Sequence, residues 1–247
     1  MTITSPHNDK LKEIRKLARR RERMVSGRFV AEGEDLLAAA DAAGWPALER
    51  YCAAGSGLPG VEVEPDLLAG VSQLGSGTRA LGVYEQRWAD APAGPLCVAL
   101  HGIADPGNVG TVLRAALAFG ASSVALGPDC ADPYGFKAVR ASMGALFAVP
   151  LARVDASGAE LVAALPGTVV ALDARAPEVL HGPLDGAVTL LVGAERAGLP
   201  DDVLAACERV VRIPIRSESL NAAMAATVAL YEVTRETVVT DRRMPTP

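Results

Sequence analysis

From Leu96 onward the chain alternates short apolar runs with helical ones, and this alternation constrains the fold more than any other feature. "LCVALHGI", "SSVAL", "FAVPLAR", "TVVALDA", "VTLLVGAE" and "RVVRIPI" read as strands. "NVGTVLRAALAFG", "GFKAVRASMGAL", "AELVAAL" and "PDDVLAAC" read as helices, and "SLNAAMAATVALYEVTRE" as a long terminal one. Continuous Val- and Leu-rich strands separated by helices are the pattern of a mostly parallel sheet covered on both faces. Asn108 and Ser219 are the helix N-caps this pattern predicts, and Gly120 a helix stop. Half of the 247 residues are hydrophobic but only 4% are aromatic, so the core is expected to be built from Ala, Val and Leu.

The first part of the chain is organised differently. Asn8 or Asp9 can cap a helix whose apolar positions are Leu11, Ile14 and Leu17. After Gly27, "RFVAEGEDLLAAADAAGW" reads as strand, turn and helix, and shorter mixed pieces follow. A small α/β domain over residues 1–88 is expected. The Ala-, Pro- and Gly-rich stretch at 89–95 reads as a linker, and a second α/β domain covers 96–240. The tail "TDRRMPTP" is expected to fray.

Charge is distributed unevenly. Between Lys10 and Arg28 nine basic residues face two acidic ones, so this segment carries +7 and the rest −12 of the total −5. A basic block on an acidic protein points to a phosphate backbone, because neutralising phosphates releases counterions; a solvated helix face is the alternative. Lys12, Arg15, Arg19, Arg20, Arg21, Arg23 and Arg28 are the candidate nucleic-acid contacts. The four cysteines and three histidines are scattered, with no Cys-x-x-Cys, which argues against a zinc cluster and a disulfide framework. No apolar run reaches the roughly 18–20 residues of a membrane span, and the N-terminus lacks the apolar segment of a secretory leader. The sequence thus reads as a cytoplasmic protein with no metal and no membrane partner.

Ligands of open parallel sheets gather beyond the carboxyl ends of the strands. Three strand-to-helix loops there stand out: "HGIADPGNVG" (101–110), "VGAERAGLP" (192–200) and "IPIRSESLN" (213–221). None carries a P-loop Gly-Lys-Ser/Thr, a Gly-x-Gly-x-x-Gly or a Gly-x-Ser-x-Gly. Arg114 stands in an apolar helical run six residues after Asn108, and its planar fork suits phosphate. An internal ion pair with an acid such as Glu195 would also account for it.

Taken together, the three loops resemble the SpoU (TrmH-type) RNA 2′-O-ribose methyltransferases of the SPOUT superfamily. The first family motif is matched by Asn108, Gly110, Arg114, Phe119 and Gly120. The second is matched by Gly193, Glu195, Gly198 and Leu199. The third is matched by Ile213, Pro214, Ser219, Leu220 and Asn221. "ASMGA", with Ser142 and Gly144, is also similar, and the N-terminal segment resembles the substrate-binding domain that many members carry, related to RNA-binding ribosomal proteins. Two departures stand out: Ala194 where the family often has Asn, and an Ile213–Ser219 stretch about two residues short.

The resemblance implies a deep trefoil knot at the C-terminus, a homodimer, and S-adenosylmethionine as methyl donor. The donor would be held near Leu172, Gly193, Ile213 and Leu220. It also implies that Arg114 is the proton acceptor or phosphate-orienting group, with Asn108, Glu195, Ser219 and Asn221 positioning it and the substrate. The expected substrate is structured RNA, with large-subunit (23S) ribosomal RNA favoured. Transfer RNA, or an inactive RNA-binding relative, are the alternatives.

Overall fold

The computed structural model describes residues 2–74 and 77–240; residues 241–247, most of the tail expected to fray, lie outside the described residues. The chain divides into two compact units, residues 1–87 with 132–148, and residues 88–131 with 149–247.

In chain order the first unit opens with helices α1 (Asp9–Leu17) and α2 (Arg20–Ser26), strand β1 (Arg28–Glu32) and helix α3 (Glu34–Ala42). Strands β2 (Glu49–Ala53) and β3 (Val61–Val63), helix α4 (Pro65–Ala69) and strand β4 (Ala80–Glu85) follow. The sheet order is β1-β4-β2-β3, antiparallel except for β2 beside β3. Asn8 caps α1 by accepting from Lys10 N, and Leu11, Ile14 and Leu17 pack on Tyr51, Val63, Leu68 and Leu81.

The single basic helix expected over this region is two helices. Arg19 takes an extended conformation between them (φ −92°, ψ 131°). The break is stabilised from inside: Arg23 is buried and donates to the Leu17 and Ala18 carbonyls at 2.8 and 3.0 Å. It thereby satisfies acceptors that the end of α1 leaves open. Its Nε and Nη2 meet Asp132 Oδ2 at 2.8 and 2.7 Å. A guanidinium so enclosed is a structural cap, which corrects the expectation that Arg23 contacts RNA.

The second unit supplies β5 (Leu96–Leu100), α5 (Pro106–Ala118) and β6 (Ser123–Leu126). The chain then returns to the first unit for α6 (Phe136–Ala141) and a 3-10 turn (Ala145–Phe147). There Tyr134 and Phe147 join Phe29, Trp45 and Tyr84, with Tyr134 4.8 Å from Phe29 and Phe147 5.2 Å from Tyr84. Seven of the ten aromatic residues lie in this small unit, and five of them form this cluster. A longer helix was expected over 135–146. It stops because Met143 (φ 49°) and Gly144 (φ 90°) are left-handed. A Cβ on Gly144 would lie 2.5 Å from that of Ala39.

The remaining elements belong to the second unit. They are β7 (Leu151–Arg153), α7 (Gly158–Ala163), β8 (Thr168–Leu172), β9 (Glu178–Val179), β10 (Val188–Val192), α8 (Asp201–Ala206), β11 (Arg209–Arg212) and α9 (Ala222–Thr240). The seven strands are ordered β7-β6-β5-β10-β8-β11-β9, and every pairing is parallel. This is the α/β parallel sheet expected. Residues 89–95 run along it: Ala89 bridges Ala152, and Ser123 Oγ bonds both the carbonyl and the N–H of Ala93. From β5 the chain first fills the β6–β7 side and later crosses to β8, β10 and β11, so the order reverses between β5 and β10. A crevice opens at the carboxyl ends of strands where such a reversal occurs.

Candidate active site

The loop after β5 begins the site. Asp105 is the N-cap of α5, its carboxylate accepting from Gly107 N at 2.5 Å and Asn108 N at 3.3 Å, with Pro106 at the first helical position. The expected cap, Asn108, is therefore already inside the first turn. The Asp-Pro pair was the missed signal, since Pro fits the first turn where no N–H is needed. Released from capping, the Asn108 side chain reaches out of the helix.

The loop after β10 is a tight hairpin. Ala194 and Gly198 exchange backbone hydrogen bonds of 3.2 and 2.9 Å. Gly198 is left-handed (φ +68°), and a Cβ on Gly193 would lie 2.5 Å from the Gly198 carbonyl carbon. Only glycine lets the two strands of the hairpin approach this closely, and the approach fixes Glu195 at its tip.

The loop after β11 ends at Asn221. Its Oδ1 accepts from Ala223 N at 3.0 Å and Met224 N at 3.2 Å, making Asn221 the N-cap of α9. Ser219, the expected cap, lies two residues upstream, exposed, with its carbonyl accepting from Ser217 Oγ. Both residue types cap well; the one whose side chain meets the first free N–H groups takes the place.

These three side chains converge. Asn108 Nδ2 donates to Glu195 Oε1 at 2.6 Å, and Asn221 Nδ2 donates to the same oxygen at 2.5 Å and to Asn108 Oδ1 at 3.1 Å. Capping settles every orientation in the set. Because Asn221 Oδ1 faces the helix amides, its NH₂ must face the loops; Asn108 Oδ1 then accepts, and its own NH₂ is left for Glu195. Oε2 of Glu195 has no partner among the described residues.

Glu195 also lines a cavity of about 360 Å³. Leu172, Gly193, Ile213 and Leu220, the four residues expected around the methyl donor, all line it, as does Ser219. Asp173, at the end of β8, lies in the same wall and accepts from Arg175 N, Nε and Nη2 at 2.7, 3.3 and 3.1 Å. The Arg175 guanidinium holds the Asp173 carboxyl below its ordinary value. Sequence reading passed over this pair, which no motif marks.

Arg114 does not pair with Glu195. It is exposed on α5 and makes no hydrogen bond or ion pair to any described residue. The structure thus joins Asn108, Glu195 and Asn221, lines the cavity with Ser219, and leaves Arg114 unpaired among the described residues. In the first unit Arg19, Arg20 and Arg21 are likewise exposed and unpaired among the described residues. Lys12 pairs with Asp9, Arg28 with Glu13, and Arg15 donates to the Pro6 carbonyl. Among the described residues no group of three or more His, Cys, Asp or Glu could hold a metal, and no helix is long and apolar enough to cross a membrane.

Residues 95–231 match the SpoU rRNA methylase family, more than half of the chain. This protein belongs to the SpoU rRNA methylase family. Residues 8–78 match the MRM3-like substrate binding domain. An AdoMet-bound rRNA methyltransferase from Sinorhizobium meliloti superposes with a TM-score of 0.84 at 30% identity, covering 96% of this chain and 98% of that one. The SpoU methyltransferase AviRb from Streptomyces viridochromogenes, in complex with AdoMet, gives 0.81 at 28% identity, covering 94% and 99%. The Bacillus subtilis 23S rRNA (guanosine(2553)-2′-O)-methyltransferase RlmP is 28% identical over 94% of this chain and 98% of its own. This SpoU methylase therefore matches these three proteins along nearly their whole length.

Proposed function

We propose that this protein transfers a methyl group from S-adenosylmethionine to a ribose 2′-hydroxyl of 23S ribosomal RNA. The observation that carries the reading is that Glu195 belongs at once to the polar network with Asn108 and Asn221 and to the wall of the cavity. A ligand-holding space and a rigid polar group for the substrate thus meet at one carboxylate.

The residues present fit the donor. The volume falls within the range of about 300–1,000 Å³ typical of cofactor sites. Leu172, Ile213, Leu220, Ala222 and Ala225 offer apolar faces suited to a flat purine, and the hairpin backbone offers donors and acceptors. When bound, the donor supplies an electrophilic methyl group on a sulfonium centre.

The chain's own residues do the rest. Asn108 and Asn221 fix Glu195 so that its free Oε2 can take a substrate hydroxyl. Arg114, unpaired and always charged, holds an RNA phosphate beside the reacting ribose and stabilises negative charge as it develops on O2′. A guanidinium is a poor base, so the 2′-hydroxyl proton leaves to a phosphate oxygen that Arg114 orients. Placement supplies most of the acceleration, since an in-line displacement gains chiefly from alignment.

The reading includes the C-terminal trefoil knot and the homodimer that the family resemblance implies, and a cytoplasmic location with the ribosomal substrate. Leu117 on α5 and Met224, Val228 and Tyr231 on α9 support the dimer: all are 42–62% exposed, on two helices that pack together. A second copy would cover such a face isologously. Labelled methyl transfer to purified 23S rRNA tests the whole reading. Incorporation into 23S rRNA that disappears in Arg114→Ala is expected; no incorporation by a protein that binds the donor would refute it.

A further inference from the structure

Helix α2 presents a surface that the RNA-binding charge alone does not explain. Met24 is 57% and Val25 81% exposed. Two adjacent large apolar side chains in water are costly unless something covers them. Helical spacing places Arg20 one turn before Met24, and Arg21 one turn before Val25, so all four share the solvent side. Neither arginine bonds any described residue.

The helix is also anchored from inside. Arg23 ties its inner side to Leu17, Ala18 and Asp132, and Gly27 (φ +66°) stops it with its N–H on the Arg23 carbonyl. A fixed apolar tip beside free guanidiniums matches a partner that joins anionic and flat apolar surface at the spacing of one helical turn. An unstacked nucleotide is such a partner, whereas a paired duplex hides its base faces.

We propose that α2 is a nucleotide-stacking tip: Met24 and Val25 take the face of an unpaired base in RNA while Arg20 and Arg21 hold its flanking phosphates. This rests on the reading that RNA is the substrate, and it adds that the first unit selects a looped or bulged strand over a continuous helix.

The test uses the full chain and two labelled RNAs, a hairpin with an unpaired loop and the same stem closed as a duplex, titrated across a salt series. Met24→Ser/Val25→Ser is expected to weaken hairpin binding roughly tenfold, the scale of burying one apolar side chain, leaving duplex binding and the salt slope as in the parent. Arg20→Gln/Arg21→Gln is expected to weaken both and to lower the slope by about one to two. If the serine variant binds both RNAs like the parent, or loses both equally, the tip is overturned. Phosphatidylserine vesicles that sediment the parent but not the serine variant would assign the face to a membrane and overturn it too. A parent that binds neither RNA overturns the RNA reading as well. A parent that binds and methylates RNA, with the serine variant unchanged, overturns the tip alone.

Discussion

Polar groups at the carboxyl edge of the parallel sheet are bound to one another, whereas Arg19, Arg20 and Arg21, at the start of α2, reach solvent singly. Asn108, Glu195 and Asn221 share hydrogen bonds of 2.5–3.1 Å and draw on a helix cap for their orientation. Arg19, Arg20 and Arg21 have no described partner, and Arg23 alone is enclosed. On the proposed function, the difference separates two physical tasks. Alignment of a reacting group tolerates little error, so its residues are cross-linked. Backbone capture is long-range and additive, so loosely held charges suffice.

The sharpest way to break this comparison is at Arg114, which lies in the sheet unit yet is free. Arg114→Ala should lower methyl transfer at least ~10²-fold with an unchanged melting temperature, measured by label incorporation and calorimetry; a parent-like rate would remove Arg114 from the site. Next comes Arg23→Ala. It removes the ion-pair partner of the largely enclosed Asp132 carboxylate and uncaps α1, so unfolding stability should fall about 3 kcal/mol in denaturant titrations. Arg20→Gln should leave stability within roughly 0.5 kcal/mol and move only the salt dependence of RNA binding. Equal stability losses in the two would erase the distinction between enclosed and free arginines.

Asn221 tests the cross-linking itself. Asn221→Ala removes both the α9 cap and two donors, so stability should fall ~1 kcal/mol and activity with it. Asn221→Asp can still cap but cannot donate to Glu195. It should keep more of the melting temperature than Ala while remaining impaired in transfer. Recovery of activity in the Asp variant would show that only the cap matters.

The smallest effect belongs to Asp173. Its carboxyl titrates lower in the folded chain, first through the hydrogen bond from Arg175. Its contribution to stability is complete above the unfolded-state value and is lost as pH falls through the lower folded one. Arg175→Ala should therefore lower stability slightly at neutral pH, and the difference from the parent should vanish in denaturant titrations as pH falls through the folded value.

Much of this arrangement is visible in the residues themselves. Continuous apolar runs identify the strands of the parallel sheet, and the resemblance of the three loops to the SpoU family singles out Asn108, Glu195 and Asn221. Cap assignments failed at Asn108 and Ser219 because neighbouring Asp105 and Asn221 are equally good caps, and only tertiary position chooses between them. Charge count could not separate Arg23 from Arg21, since which side of a short helix faces inward depends on a partner more than a hundred positions away. Asp132 and the aromatic pair Tyr134 and Phe147 are such partners, and local patterns carry no sign of them.

That distance has a consequence for how the protein is made. Phe29 and Tyr84 wait for Tyr134 and Phe147, and Arg23 waits for Asp132. At translation rates of about 5–20 residues per second, the first 87 residues emerge from the ribosome several seconds before the segment that completes their core. The nascent chain must hold a half-built aromatic cluster through that interval. A gene fragment ending in the Ala- and Pro-rich stretch after Arg87 would encode that unfinished state permanently.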